Sequence, residues 1–266
     1  MVDSIFSRNW LLISEPLQAA LALPRLLVAG TGLGSVICEL AARTGFSRFV
    51  LADGDRVEVT NLNRQAFSRE HVRTNKAESL ATRLRALRPE VELTVVPRFL
   101  ERADLEQLVP EVDAVINTID FDHPAFMDCS ALARLHGKLE LFPTNLGFGG
   151  AVACFDARSP LLSEHFATRD HVVLKRRILE FLVARCPAYL QSLYEVYVAR
   201  PRPYDPQLGI SSYVTAAIAV TLLVRSAAGQ PLRLFPDVYH ADFNEDPAVP
   251  DANRFLSHSD NLKATT

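Results

Sequence analysis

The chain has 266 residues, 48% hydrophobic and 22% charged, with a formal net charge of −3. That length accommodates one large α/β domain or two small ones with a substantial core, the composition is that of an ordinary globular protein, and the slight acidity gives no support to general nucleic-acid binding. Basic residues are lopsided, 24 Arg against 4 Lys, and the scattered cysteines Cys38, Cys129, Cys154 and Cys186 form no CxxC pair, which argues against a disulfide framework and a tetrathiolate zinc site.

In chain order, residues 1–25 read as a helical arm without a basic region followed by an apolar run, so no signal peptide is expected. Leu26 to Ala29 is a short continuous apolar run, as in a parallel strand buried on both faces. A glycine-rich turn, AGTGLGS, follows. Its glycines fit the dinucleotide pattern in two ways: Gly30 and Gly32 with Ser35 third, or Gly32 and Gly34 as the last two with Ala29 first. The second is preferred because Leu33-Gly34-Ser35 suits entry into a helix. Backbone donors of Gly30, Gly32 and Gly34 at that helix start would suit phosphate or simply cap the helix. SVICELAART is a helix ended by Gly45, and RFVLAD is the second strand.

Asp53 stands nineteen residues after Gly34, where an acid ending the second strand can hold ribose hydroxyls. The segment from Leu51 to Gln65 then presents Asn61, Arg64 and Gln65 close together, and Lys76 follows eleven residues later. An ordinary NAD site has no use for these groups. A site that holds a triphosphate and expels pyrophosphate does, because that charge needs fixed cations and donors. Arginine's planar fork matches phosphate oxygens, and a compact ammonium at a helix start suits the leaving pyrophosphate. The bland alternatives are a strand-end cap for Asp53, a surface arginine for Arg64 and a solvated helix start for Lys76.

KAESLATRLRALR carries a helical apolar stripe stopped by Pro89. A strand (91–97), a short helix (103–109) and a strand ending in Asp120 (113–120) follow, with Asp122 a second carboxylate nearby. A helix runs from Pro124 to Gly137. LELFPTNLGFGGAVACFD reads as two strands interrupted by a glycine-rich connection, Thr144 to Gly150, roomy enough for an extended peptide unless its glycines serve a tight turn. Residues 157–207 read as two helices and a proline-rich stretch with Cys186, a thiol whose apolar neighbourhood favours a core role over catalysis. The Ile210–Val224 run is too short and too rich in Ser and Thr for a membrane span. A final strand or pair precedes a polar, poorly ordered tail over 244–266.

The glycine turn, D-G-D, T-N-L-N-R-Q and the following K-A together resemble the ThiF/MoeB/HesA family, bacterial relatives of ubiquitin-activating enzymes. The resemblance covers roughly residues 5 to 240 and is densest between 26 and 100. It implies a single domain over 1–243, with the N-terminal helical arm (1–25) and a crossover insertion (157–207), built on a doubly wound, mostly parallel Rossmann-like α/β sheet with antiparallel C-terminal strands. It implies an adenylyltransferase that uses ATP and Mg²⁺ to activate a carboxylate, on the C-terminus of a small ubiquitin-like or sulfur-carrier protein or of a peptide. Arg64 and Lys76 would handle phosphates. Asp120 takes the place of the family's magnesium-holding aspartate, although Phe121 stands where an asparagine is expected. Arg8 takes the place of an arginine that reaches the partner subunit's ATP, so a homodimer is expected; with neither a signal peptide nor a membrane span expected, cytoplasm is the default location. Two CxxC zinc pairs common in relatives are missing. The competing readings are an NAD(P)-dependent oxidoreductase, which leaves Arg64 and Lys76 without a task, adenylation of a modified tRNA base, and a catalytically idle binding subunit.

Overall fold

The computed structural model describes residues 5–121, 123–199 and 205–245. Asp122, part of the crossover (200–204) and nearly all of the tail fall outside the described residues. After a single 3-10 turn at Ser7–Asn9, helix α1 (Glu15–Ala20) leads into strand β1 (Arg25–Ala29) and helix α2 (Leu33–Thr44). Strand β2 (Arg48–Ala52), helix α3 (Lys76–Leu87), strand β3 (Glu92–Val96) and helix α4 (Arg102–Leu108) complete the first half. Strand β4 (Ala114–Asn117), helix α5 (Pro124–Leu135) and the strands β5 (Leu139–Leu146) and β6 (Gly149–Phe155) begin the second. Helices α6 (Leu162–His165), α7 (His171–Val183), α8 (Ala188–Ala199) and α9 (Gly209–Ala227) precede strand β7 (Val238–Ala241).

The strands form one sheet in the order β3-β2-β1-β4-β5-β6-β7. The first five run parallel, and β6 and β7 are antiparallel. This is the doubly wound, mostly parallel Rossmann-like sheet with antiparallel C-terminal strands that the sequence implied. Inner strands β1 and β4 are apolar from Leu26 to Ala29 and from Ala114 to Ile116 because both faces are covered; the edge strand β3 is partly exposed along its length.

Alternation along the strands sorts the core. Leu26, Val28, Phe49 and Leu51 pack beneath α2, α3 and α9, while Leu27, Ala29, Val50 and Val115 face α4 and α5. A third cluster, with Phe126, Phe142 and Phe155, lies between β5, β6 and the crossover helices. Helix α9 is the one described helix long and apolar enough to cross a membrane, and 44% of its most apolar stretch is buried within the protein. It packs on β5, β6 and α2 as a core helix.

The connection between β5 and β6 differs from the expectation of a roomy loop. Pairing runs to Leu146↔Gly149, which leaves only Gly147 and Phe148 as a two-residue turn with Gly147 at φ +56°. A Cβ on Gly150 would lie 2.1 Å from the Thr215 hydroxyl, and one on Gly147 would meet Tyr189 and Leu190. The glycines admit α9 and α8 against the hairpin; they do not open space for a peptide. The C-terminal segment supplies one strand, β7, and Phe243–Glu245 form a 3-10 turn.

Candidate active site

The chain reverses direction of winding between β1 and β4, which are neighbours although two strands separate them in sequence. Ligands of open α/β sheets bind beyond the strand C-termini at such a switch point. Ala29 pairs with both Ala52 and Asn117, so the turns after β1, β2 and β4 converge there. Asp53 directly follows β2 and Asp120 lies three residues beyond β4, the two strands that flank β1.

The glycine turn is built by Gly30, not Ala29. Gly30 adopts φ +90°, and a Cβ there would lie 2.6 Å from the Thr118 carbonyl oxygen. Ala29 is the fully buried last residue of β1. Gly32 caps α2, with the Gln65 amide nitrogen 3.0 Å from where its Cβ would stand. Gly34 lets α2 approach β1, since a Cβ would come within 2.6 Å of Val28. Gly30 thus serves the tight turn, Gly32 the open approach and Gly34 the helix packing, a spacing one residue tighter than usual. Ser35, the third member in the other alignment, ties the turn to the next segment instead: its hydroxyl donates to the Gly32 carbonyl (2.6 Å) and accepts the Ala66 N–H (3.0 Å).

Asp53 holds this turn from the side. Its Oδ2 accepts the Thr31 N–H at 2.7 Å and the Thr31 hydroxyl at 3.0 Å, while Oδ1 accepts the Asp55 N–H at 2.9 Å. Each oxygen has two lone pairs, so this half-exposed carboxylate keeps acceptor capacity. Asn61 is buried and its Oδ1 caps the local turn by accepting the Glu58 N–H (3.0 Å). The Gln65 Oε1 is buried without a partner among the described residues, an orphaned acceptor beside the glycine turn.

Arg64 is half-buried. Nε donates to the Gln207 side chain (2.8 Å), and Nη1 donates to the Thr60 carbonyl and the Asn63 side chain (both 2.9 Å). Burial lowers its pKa from the ordinary arginine value, opposed by the charge of Glu58; the group remains a cation. Lys76, with its side chain only 10% exposed, begins α3 and pairs through Nζ with Asp55 at 2.8 Å. The Asn75 amide fixes the approach of α3 by donating to the Asp53 carbonyl (2.9 Å). Asp120 is exposed beyond β4, and its carbonyl accepts the His123 N–H (2.8 Å).

Arg8 is not brought to this chain's own turn. The arm is fixed at the other end of α2, where the Gln18 amide donates to the Thr44 carbonyl (2.9 Å) and Leu21 packs at Gly45. Twelve helical residues, about 18 Å, separate that end from the glycine turn. Cys186 is half-buried against the phenylalanine cluster. Cys38, Cys129 and Cys154 are buried on separate elements, and burial pushes the Cys154 thiol up to about 12. Among the described residues no three His, Cys, Asp or Glu side chains gather as metal ligands would.

Sequence reasoning passed over Asp55, Thr31 and Gln207. Asp55 lies in the quoted D-G-D segment, two residues after Asp53, and its charge complement to Lys76 was a usable signal. Gln207 is 143 residues from Arg64, and no local pattern announces that contact.

Comparison with known proteins gives the same picture. Over 123 residues the chain is 40% identical to the tRNA threonylcarbamoyladenosine dehydratase of Escherichia coli (strain K12), covering 46% of this chain and 45% of that protein. It is 34% identical to the molybdopterin-synthase adenylyltransferase of the same organism over 148 residues, 55% of this chain and 51% of that one. The chain spans about half the length of the curated relatives it matches. Among solved structures, E. coli MccB with ATP superposes with a TM-score of 0.65 at 17% identity, covering 95% of this chain and 75% of that one. The E. coli dehydratase TcdA does so with a TM-score of 0.61 at 22%, covering 85% and 94%; at such identities the likeness is one of fold. The ThiF family model matches residues 6–251, nearly the whole length in which the glycine turn, Asp53, Arg64, Lys76 and Asp120 are set, and the chain belongs to that family.

Proposed function

We propose that the protein is an ATP-dependent adenylyltransferase, in which a carboxylate oxygen of the acceptor attacks the α-phosphorus of ATP, the α–β phosphoanhydride bond breaks and pyrophosphate leaves. The observation that supports this reading is a glycine turn at the switch point anchored by Asp53, with Asp55, the partner of Lys76, bonded to the same carboxylate and Gln65, the neighbour of Arg64, against Gly32. The nucleophile is already ionised, so no protein base is needed; positioning and charge do the work. The free N-terminal amides of α2 receive phosphate, Asp53 accepts ribose hydroxyls, Asn61 and Gln65 shape the floor, and Gln65 offers its orphaned oxygen. Arg64 and Lys76 spread the charge of the departing pyrophosphate, Lys76 exchanging Asp55 for phosphate.

Asp120, an exposed carboxylate three residues beyond β4, is the residue that would hold a magnesium ion, since one carboxylate with phosphate oxygens and water suits that ion. Bound there, it would neutralise phosphate charge. The domain assignment over 1–243, a homodimer with Arg8 acting on the partner's nucleotide, and a cytoplasmic location complete the proposal.

For the acceptor, the names of the relatives include a ubiquitin-like modifier-activating enzyme and a sulfur carrier protein adenylyltransferase, and we infer a protein or peptide C-terminal carboxylate. The match to a tRNA threonylcarbamoyladenosine dehydratase favours a second reading, a modified tRNA nucleoside. ATP–pyrophosphate exchange tests the proposal: radiolabel should enter ATP when candidate carboxylates are supplied, Cys186→Ala should retain it, and hydride transfer to NAD(P) without exchange would refute the adenylation reading.

A further inference from the structure

Residues 205–208, which lead into α9, meet the turn that carries Asn63 and Arg64. Gln207 accepts the Arg64 Nε–H at 2.8 Å through its side chain and the Asn63 amide at 3.1 Å through its carbonyl. Gly209, at the start of α9, lies so close that a Cβ would stand 2.6 Å from the Asn63 carbonyl oxygen. The segment is anchored at its other end by Asp205, which accepts from Tyr197 on α8 (2.6 Å) and from Lys175 on α7 (3.1 Å). A frame attached to three helices therefore meets the guanidinium of Arg64.

The chemistry of that contact is specific. Of the five guanidinium donors, Nε and Nη1 are directed at Gln207, Thr60 and Asn63, and Nη2 has no partner among the described residues. All three acceptors are neutral. The nearby acid, Glu58, acts through its charge without a hydrogen bond to the guanidinium. A carboxylate in place of Gln207 would hold the fork as firmly and cancel its charge; an amide holds it and leaves the charge for another anion.

We propose that Gln207 is a positioning residue for Arg64, aiming the guanidinium at the nucleotide's outer phosphates through a neutral acceptor. The inference rests on the reading of Arg64 as a phosphate ligand. It assigns the segment after α8 a part in the first step of the reaction and makes the crossover helices able to influence ATP binding.

The test titrates the full chain calorimetrically with Mg·ATP and with AMP, for wild type, Arg64→Ala, Gln207→Leu, Gln207→Glu and the double variant Arg64→Ala/Gln207→Glu, with circular dichroism to verify folding. Gln207→Glu should weaken ATP by about tenfold, the scale of one charge-assisted contact, while AMP changes by less than about twofold. Gln207→Leu should weaken ATP less, because the charge survives without its aim. The added carboxylate should have no effect once Arg64 is gone. Equal losses for ATP and AMP would mean a merely structural role and overturn the inference. So would wild-type ATP binding by Gln207→Glu while Arg64→Ala has lost it, which leaves the adenylation reading standing. If Arg64→Ala itself binds ATP normally, the phosphate assignment of Arg64 fails, and this inference with it.

Discussion

Lys76 shows how a single side chain can be held in readiness. Its ammonium is almost buried, yet its partner Asp55 is 54% exposed. The pair sits where one member is desolvated and the other can turn to water, so an incoming phosphate can displace Asp55 cheaply. Such a pair contributes little to stability, and Lys76→Ala should leave the fold intact. In the reaction the same cation faces developing charge in a site sheltered from solvent. Its loss should slow ATP–pyrophosphate exchange by about 2–4 kcal/mol of barrier. Lys76→Arg should fail substantially too, because a planar fork cannot take the place of a compact charge between Asp55 and the start of α3. Exchange rates, with circular dichroism alongside, check both; near-normal exchange by Lys76→Ala would remove this residue from the site.

At the scale of elements, one buried ionic group joins a helix to the sheet and one half-buried group joins two helices. Glu140 on β5 is fully buried, ion-paired with Arg134 of α5, and accepts from Asn117 (2.8 Å) and Ser130 (2.9 Å). Asn117 ends β4, just before the turn to Asp120, so Glu140→Ala strands a guanidinium and an amide below the site. A loss of about 3–5 kcal/mol is expected in chemical denaturation. On the other face Glu39 of α2 bonds Arg83 of α3 and Arg43. Burial raises its pKa, but the hydrogen bonds from Arg83 and Arg43 outweigh burial and hold the carboxyl below its ordinary value. A depressed folded value means stability present above the unfolded pKa and lost as pH falls through the folded one. Glu39→Gln should therefore be less stable than wild type by about 0.5–1 kcal/mol at neutral pH. The two melting curves should converge below the ordinary carboxylate range; a constant gap across pH would contradict the linkage. The elements themselves were legible in sequence because apolar runs, Gly45, Pro124 and Gly137 mark strands and helix ends locally. The hairpin at Gly147 stayed open between a roomy loop and a tight turn, because composition does not tell whether a glycine faces solvent or a neighbouring helix. The site was legible where its residues cluster between 53 and 76. Gln207 and the Asp55 partnership depend on tertiary approach, and there the sequence pattern ended.

Among the described residues, the most exposed run of consecutive large apolar side chains lies on the N-terminal arm. Trp10, Leu11 and Leu12 are 67%, 84% and 87% exposed on an arm that is itself firmly fixed through Gln18 and Leu21. Ile210 and Tyr213 add exposed apolar surface on α9. Burying each such side chain is worth about 1.5–3 kcal/mol, so a dimer should form at micromolar concentration, and Trp10→Ser/Leu12→Ser should shift sedimentation to monomer without loss of helix signal. The place of Arg8 makes a sharper test. It stands at the end of α2 remote from its own glycine turn, so any contact with nucleotide must be made across a dimer. Arg8→Ala and Lys76→Ala homodimers should then both be deficient in exchange. Mixed after dissociation, half the dimers pair one chain of each kind, and in each of these one site receives Lys76 from its own chain and Arg8 from the other. Exchange should return to about a quarter of wild type. If Arg8 acted within its own chain, or not at all, the mixture would show no more than the average of its parents. That result, from a preparation proven dimeric, would withdraw Arg8 from the site and leave the rest of the proposed chemistry to Asp53, Arg64, Lys76 and Asp120.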